Sequence, residues 1–70
     1  GPRQDADPAR LKRLKGKREK LFTELIRLER QRQSGNLDSA RYAERRPALI
    51  AQLERVYRDL DTEGGQGLAA

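Results

Sequence analysis

The sequence contains no cysteine, no histidine, no tryptophan and no methionine among its 70 residues. Without cysteine no disulfide can cross-link the fold, and without cysteine and histidine a structural zinc site has no ligands except carboxylates. The same two absences exclude the common nucleophile–base pairs of covalent catalysis. We therefore expect no catalytic residue, no cofactor and no metal ion in this chain.

Large apolar side chains are also scarce, because the chain has one phenylalanine and two tyrosines and only 34% of its residues are hydrophobic. A chain this short seldom obtains more than about 3–5 kcal/mol from a single core. No apolar run approaches the roughly 18 residues that a membrane-spanning helix requires. The remaining source of stabilisation for such a chain is association, with a second copy or with another protein.

Charged residues of both signs make up 39% of the chain, and the formal net charge is +5. Their interleaving is typical of solvated helix faces. The first two residues, Gly-Pro, have the form of a scar left by removal of a purification tag. We expect 1–7 to be this scar and a flexible leader, 8–63 to form the folded unit, and the glycine-rich 64–70 to be a flexible tail.

A first helix is predicted over about 8–34. Asp7 can accept backbone N–H bonds at its start, and Pro8 suits the first helical position. Ser34-Gly35-Asn36 offers glycine where a helix commonly ends in the left-handed conformation. Between these signals the apolar residues recur at helical spacing, at Leu11, Leu14, Leu21, Leu25 and Leu28.

A second helix is predicted over about 39–61, with Asp38 as its cap. Its apolar stripe consists of Tyr42, Leu49, Leu53, Val56 and Leu60. Pro47 contradicts this pattern, because an interior proline removes a hydrogen bond and costs about 3 kcal/mol. We expect either a kink there, or a break between a short segment over about 39–45 and a longer one that starts at Pro47.

A short connection makes two helices antiparallel neighbours, and here it pairs positions whose numbers sum to about 74. The predicted fold is thus an all-α, two-helix antiparallel hairpin, able to dimerise into a four-helix bundle. Its seam comprises Leu14, Leu21, Leu25, Leu28, Leu49, Leu53, Val56 and Leu60. The same register predicts the ion pairs Glu19–Arg55, Lys20–Glu54, Glu29–Arg45 and Arg13–Asp61.

Two packed amphipathic helices leave one side of their joint apolar stripe uncovered, and a contiguous exposed apolar patch usually marks an interface. The hairpin layout places several apolar residues beside the seam on this side. The predicted partner interface consists of Phe22, Ile26, Ile50 and Tyr57, together with Leu25 and Leu53.

A basic run near the start of the first helix is the second strong signal. It consists of Arg10, Lys12, Arg13, Lys15, Lys17, Arg18 and Lys20, against the single acid Glu19. The run can neutralise the acidic end of the second helix, which lies beside it in a hairpin. It can also contact anionic headgroups at a cytoplasmic membrane surface, or the phosphates of a nucleic acid. The sequence leaves these three roles open.

The segment from Leu25 to Leu53 combines Leu-x-x-Leu, a glycine, an aliphatic residue, a cap, a tyrosine four positions later and a leucine seven further on. This pattern resembles the short bacterial oligomerisation domain SHOCT, and is similar to the helical hairpin beside the membrane anchor of the cytochrome c biogenesis protein CcmI. The residues that match are Gly35, Leu37, Asp38, Tyr42, Leu49 and Leu53. The resemblance implies an accessory interaction module of a larger bacterial protein.

The sequence therefore predicts a non-catalytic protein–protein interaction or oligomerisation module, an adaptor without a small-molecule substrate. Its partner would be a second copy or a heterologous helix. The expected location is the cytoplasm or the cytoplasmic face of a membrane. The alternative function is nucleic-acid or anionic-membrane binding through the basic 10–20 segment.

Overall fold

The computed structural model of the protein describes residues 7–64, which form two helices joined by a tight turn. Helix α1 spans Pro8–Gln33 and helix α2 spans Ser39–Gly64. The helices run antiparallel, since Arg10 near the start of α1 contacts Glu63 near the end of α2. The predicted all-α two-helix hairpin is confirmed.

Both helices begin at an aspartate that caps them. The Oδ1 atom of Asp7 accepts a hydrogen bond from the backbone N–H of Ala9 at 3.0 Å, and Pro8 occupies the first helical position. The Oδ2 atom of Asp38 accepts one from the backbone N–H of Arg41 at 3.2 Å. Each bond satisfies a donor that the helix itself leaves unpaired.

The turn between the helices is a Schellman motif. Gly35 has a φ of +78°, a conformation that costs a residue with a Cβ atom about 1 kcal/mol. The backbone N–H of Gly35 donates to the carbonyl of Arg32 at 3.1 Å, and that of Asn36 donates to the carbonyl of Gln31 at 2.9 Å. Leu37 then packs against the core, which directs the chain into α2.

The core is a single seam of aliphatic side chains between the helices. Leu49 is its centre, with 1% of its surface exposed. Leu25 and Leu60 are partly buried against this seam. The other buried residues are Leu14, Leu21, Leu28, Leu53 and Val56, so all eight predicted seam residues lie in or against the core.

The ion pairs that cross between the helices differ from the predicted ones. Those between residues 7 and 64 are Arg10–Glu63 at 2.7 Å, Arg45–Glu24 at 3.5 Å and Arg46–Glu29 at 3.1 Å. The predicted Glu29–Arg45 pair is wrong because successive helical residues are about 100° apart. Arg46 therefore lies at the edge of α2 beside Glu29, while Arg45 lies at the opposite edge.

The other three predicted pairs are also wrong for the part of the chain that the structure describes. The register shows which residues of the two helices lie at the same level along the hairpin. It does not show in which direction each side chain points from its helix. The predicted members lie at exposed positions, and none of them contacts its predicted partner. These pairs are Glu19–Arg55, Lys20–Glu54 and Arg13–Asp61.

Pro47 does not break α2, which continues through it as one helix. The alternative of a separate segment over 39–45 is therefore wrong. Contacts on both sides of the proline hold the helix in place: Tyr42 and Arg46 bond to Glu29 before it, and Leu49 is buried after it. Pro47 itself is exposed, so its ring does not disturb the seam.

The ends of the hairpin differ slightly from the predicted boundaries. Asp7, which the predicted boundaries leave in the leader, caps α1 as the sequence pattern predicts. Helix α2 continues to Gly64, three residues beyond the predicted end at Asp61, because Glu63 is anchored by Arg10 of α1. The predicted scar over residues 1–2, the rest of the leader and the tail beyond Gly64 lie outside the described residues.

Candidate interaction surfaces

An exposed apolar surface lies along one edge of the seam. The rings of Phe22 and Tyr57 contact each other edge to face, with centroids 6.2 Å apart at 71°. Phe22 is 39%, Ile26 51% and Tyr57 43% exposed, and Ile50 is partly buried. Ile26 follows Phe22 by one turn and Ile50 precedes Tyr57 by two, so the four residues share one side. We call these four residues the apolar face.

The two other predicted interface residues lie beneath this face. Leu53 is buried in the central cluster, and Leu25 is partly buried against it. Neither presents most of its surface to solvent, so their contribution to any interface is to support the four side chains above them. The structure thus separates the six predicted residues into an outer group of four and an inner group of two.

A polar cluster near the turn ties the two helices together, and the sequence did not predict it. The Tyr42 hydroxyl donates to the Glu29 carboxylate at 2.8 Å, and the Arg46 Nε atom donates to the same carboxylate at 3.1 Å. The Arg32 guanidinium stacks over the Tyr42 ring, 4.6 Å from its centroid. This cation–π contact and the shared carboxylate fix the tyrosine on the seam.

The cluster shifts the acid–base behaviour of two of its members. The hydrogen bond from Tyr42, assisted by Arg46, lowers the pKa of Glu29 below its ordinary 4.5 despite an opposing effect of burial. The bond to Glu29, with burial, raises the pKa of Tyr42 above its ordinary 10.0. A carboxyl group with a lower pKa in the folded than in the unfolded chain stabilises the fold at pH values above its unfolded pKa. The contribution of Glu29 is therefore present above about pH 4.5 and is lost as the pH falls. The Tyr42 hydroxyl has a raised pKa, so its contribution to stability is present below about pH 10 and is lost as the pH rises further.

Replacing Tyr42 by phenylalanine tests this cluster. In Tyr42→Phe the ring still packs and still accepts the Arg32 stack, but the carboxylate of Glu29 loses its nearest donor. We expect the pKa of Glu29 to rise towards its ordinary value, and acid unfolding to begin at a higher pH. Carboxyl carbon shifts in an NMR titration measure the first effect, and circular dichroism measures the second.

The matched control is Tyr57→Phe, which removes the same hydroxyl from an exposed position that does not contact Glu29. This variant should leave the Glu29 titration where it is in the unsubstituted protein. An unchanged Glu29 pKa in Tyr42→Phe would show that Arg46 alone holds the carboxylate.

The basic 10–20 run does not form one continuous surface. Arg10 pairs with Glu63. Three further residues of the run, Arg13, Lys17 and Lys20, line a depression between the helices together with Glu24 and Gln52. At about 100° per residue the remaining three point to other sides of α1, away from this depression. They are Lys12, Lys15 and Arg18.

A second depression continues the first towards the turn and adds three arginines, Arg27, Arg41 and Arg45. Glu24 lines both depressions, so they adjoin. Arg45 and Arg46 are sequence neighbours at opposite edges of α2, and Arg46 lies on the side of the apolar face. The second depression therefore lies on the opposite side. We call the joined depressions the basic groove, lined by Arg13, Lys17, Lys20, Arg27, Arg41 and Arg45.

Comparisons with known proteins assign no family to this fold. No protein-family model matches the sequence, and neither the curated proteins nor the solved structures give a match. Within residues 7–64 no group of three or more acidic, histidine or cysteine side chains is arranged to hold a metal ion. Neither described helix is long and apolar enough to cross a membrane.

Proposed function

We propose that the hairpin is a self-association module in which the apolar faces of two copies pack together as a four-helix bundle. The observation that carries this proposal is the apolar face itself, with Phe22, Ile26 and Tyr57 exposed beside a small core. Burying these side chains supplies the stabilisation that the short chain cannot obtain from its own seam. Such a module would serve as an accessory region of a larger bacterial protein.

The dimensions of the hairpin favour a second copy over a single partner helix. Each helix has 26 residues, which at 1.5 Å per residue gives a length of about 39 Å. Two helices side by side are about 20 Å wide, so one side of the hairpin offers about 800 Å². This area is close to what each partner contributes to a stable interface of standard size. A single helix would cover only the strip between α1 and α2.

The position of the apolar face favours an antiparallel arrangement of the two copies. Phe22 lies close to the midpoint of Pro8–Gln33, and Ile50 lies close to the midpoint of Ser39–Gly64. A two-fold axis through this level superposes the two apolar faces and pairs both hairpins over their whole length. A parallel arrangement would instead place the basic start of α1 beside the same segment of the second copy.

Phe22→Asp tests the proposal. By symmetry the variant removes two phenyl rings from the centre of the interface and puts two carboxylates there, whose loss of water is costly even with Arg18 one turn away. We expect the dissociation constant, measured by sedimentation equilibrium, to rise by at least about tenfold. The Tm of the unsubstituted protein should increase with protein concentration, and that of the variant should not.

Thr23→Asp is the matched control, because it adds the same charge at the next residue, on the outer side of α1 about 100° away. It should raise the dissociation constant much less than Phe22→Asp does, because Thr23 borders the apolar face only at Ile26, one turn further on. A monomer at all concentrations up to about 1 mM, with a concentration-independent Tm, would exclude self-association, since its dissociation constant would then exceed the millimolar range.

A further inference from the structure

The basic groove collects cations that are distant in the sequence. Arg13, Lys17, Lys20 and Arg27 follow one another at spacings of four, three and seven, which keeps them on one edge of α1. Arg41 and Arg45 are one turn apart on the facing edge of α2. The α1 cations alone extend over about 21 Å along the helix axis.

Negative charge within the groove is too small to balance these six cations. Glu24 is the only carboxylate among the residues that line the two depressions. Its contact with Arg45 is long, at 3.5 Å, and both side chains are more than two-fifths exposed. Among residues 7–64, the acidic end of α2 forms its ion pair with Arg10, outside the groove, through Glu63.

We propose that the basic groove binds the phosphate backbone of a nucleic-acid duplex without reading its sequence. A duplex carries one negative charge per about 1.7 Å of its axis when both strands are counted, or about 3.4 Å on each strand, so the groove meets several phosphates along its length. The lining offers charged and amide groups, which suit phosphate contacts. Between residues 7 and 64 no element projects from the groove to reach base edges.

The distribution of aromatic and apolar residues separates this ligand from two other polyanions. Binding of single strands uses aromatic side chains on which the bases stack, but the exposed rings of Phe22 and Tyr57 lie on the opposite side of the hairpin. Peripheral binding to anionic lipids uses apolar residues on the same side as the cations. The apolar side chains that line the groove, Leu21, Leu28 and Leu49, are buried in the seam instead.

The test uses the full chain and a labelled 20-base-pair duplex of arbitrary sequence, with fluorescence anisotropy measured over a range of salt concentrations. For the unsubstituted protein we expect log K to fall as the logarithm of the salt concentration rises. The slope is about −5 if all six cations contact phosphates, and shallower if fewer do. The double variant Lys17→Gln/Lys20→Gln should reduce the slope by about two and weaken binding at low salt by at least about tenfold.

The matched control is Lys12→Gln/Lys15→Gln, which removes two lysines from the same helix outside the groove. It should retain the slope of the unsubstituted protein, and circular dichroism should show equal helicity for all three proteins. Equal weakening by both double variants would refute the groove, because binding would then follow net charge alone. The absence of duplex binding at low salt would refute it as well.

Two further probes identify the ligand class. A single strand of the same length and vesicles of phosphatidylserine and phosphatidylcholine should each bind more weakly than the duplex. Tighter binding of either would overturn the proposal in favour of that ligand. The Phe22→Asp variant should bind the duplex with the same slope per chain, because its substitution lies on the opposite side of the hairpin.

Discussion

Leu49→Ala is expected to unfold most of the hairpin at room temperature. Leu49 is the most buried side chain of the core and belongs to the cluster of leucines and Val56 that joins the two helices. Replacing a buried leucine by alanine costs about 2–5 kcal/mol through lost transfer energy and the cavity that remains. A chain of this size seldom has more than about 3–5 kcal/mol to lose.

Urea titration followed by circular dichroism at fixed protein concentration measures this loss. Leu11→Ala is the matched control, because Leu11 is only partly buried near the start of α1 and lies outside the core cluster. It should cost less than about 1 kcal/mol, since little apolar surface is uncovered there. Equal losses in the two variants would mean that the described seam does not hold the helices together.

The parts of the fold that could be predicted are those encoded by neighbouring residues. Asp7-Pro8 and Asp38 define helix starts because a cap acts on backbone groups two or three positions away. Gly35 defines the turn because few other residues adopt its positive φ without strain. The leucine spacing then determines which side of each helix is buried, and hence the seam.

The parts that register alone could not predict depend on direction around the helix axis as well as on height along it. The summed register placed Glu29 at the level of Arg45, but the carboxylate is bound by Arg46 and Tyr42. Arg45 and Arg46 lie at nearly the same height, about 1.5 Å apart along the axis of α2, and only their directions around that axis distinguish them. A helical-wheel projection of α2 about Leu49 would have separated the two arginines.

Rotation about the axis also explains why the basic run does not form one surface. A linear run of seven cations winds twice or more around α1, so only part of it can reach any one ligand. The structure joins that part to Arg27, Arg41 and Arg45, which no local pattern connects with it. It also places the apolar face on the other side, so self-association and phosphate binding do not compete for the same residues.

Pro47→Ala is expected to stabilise the hairpin by about 1–3 kcal/mol. Because α2 is continuous, the proline withholds the N–H that would bond to the carbonyl of Ala43, and its ring crowds that carbonyl. Alanine restores the donor and is the residue that best favours a helix. The gain is reduced by up to about 1 kcal/mol, since proline also restricts the unfolded chain. Pro47 is exposed, so no packing in the seam is lost.

Pro8→Ala provides the matched control, because it is the same substitution at the first position of α1, where no intrahelical hydrogen bond is missing. It should be neutral or slightly destabilising through the unfolded state. Urea titrations of both variants at one protein concentration give the comparison. A loss of stability in Pro47→Ala would show that the fixed φ of the proline contributes to the path of α2 between the Glu29 cluster and Leu49, and that a regular helix fits this seam less well.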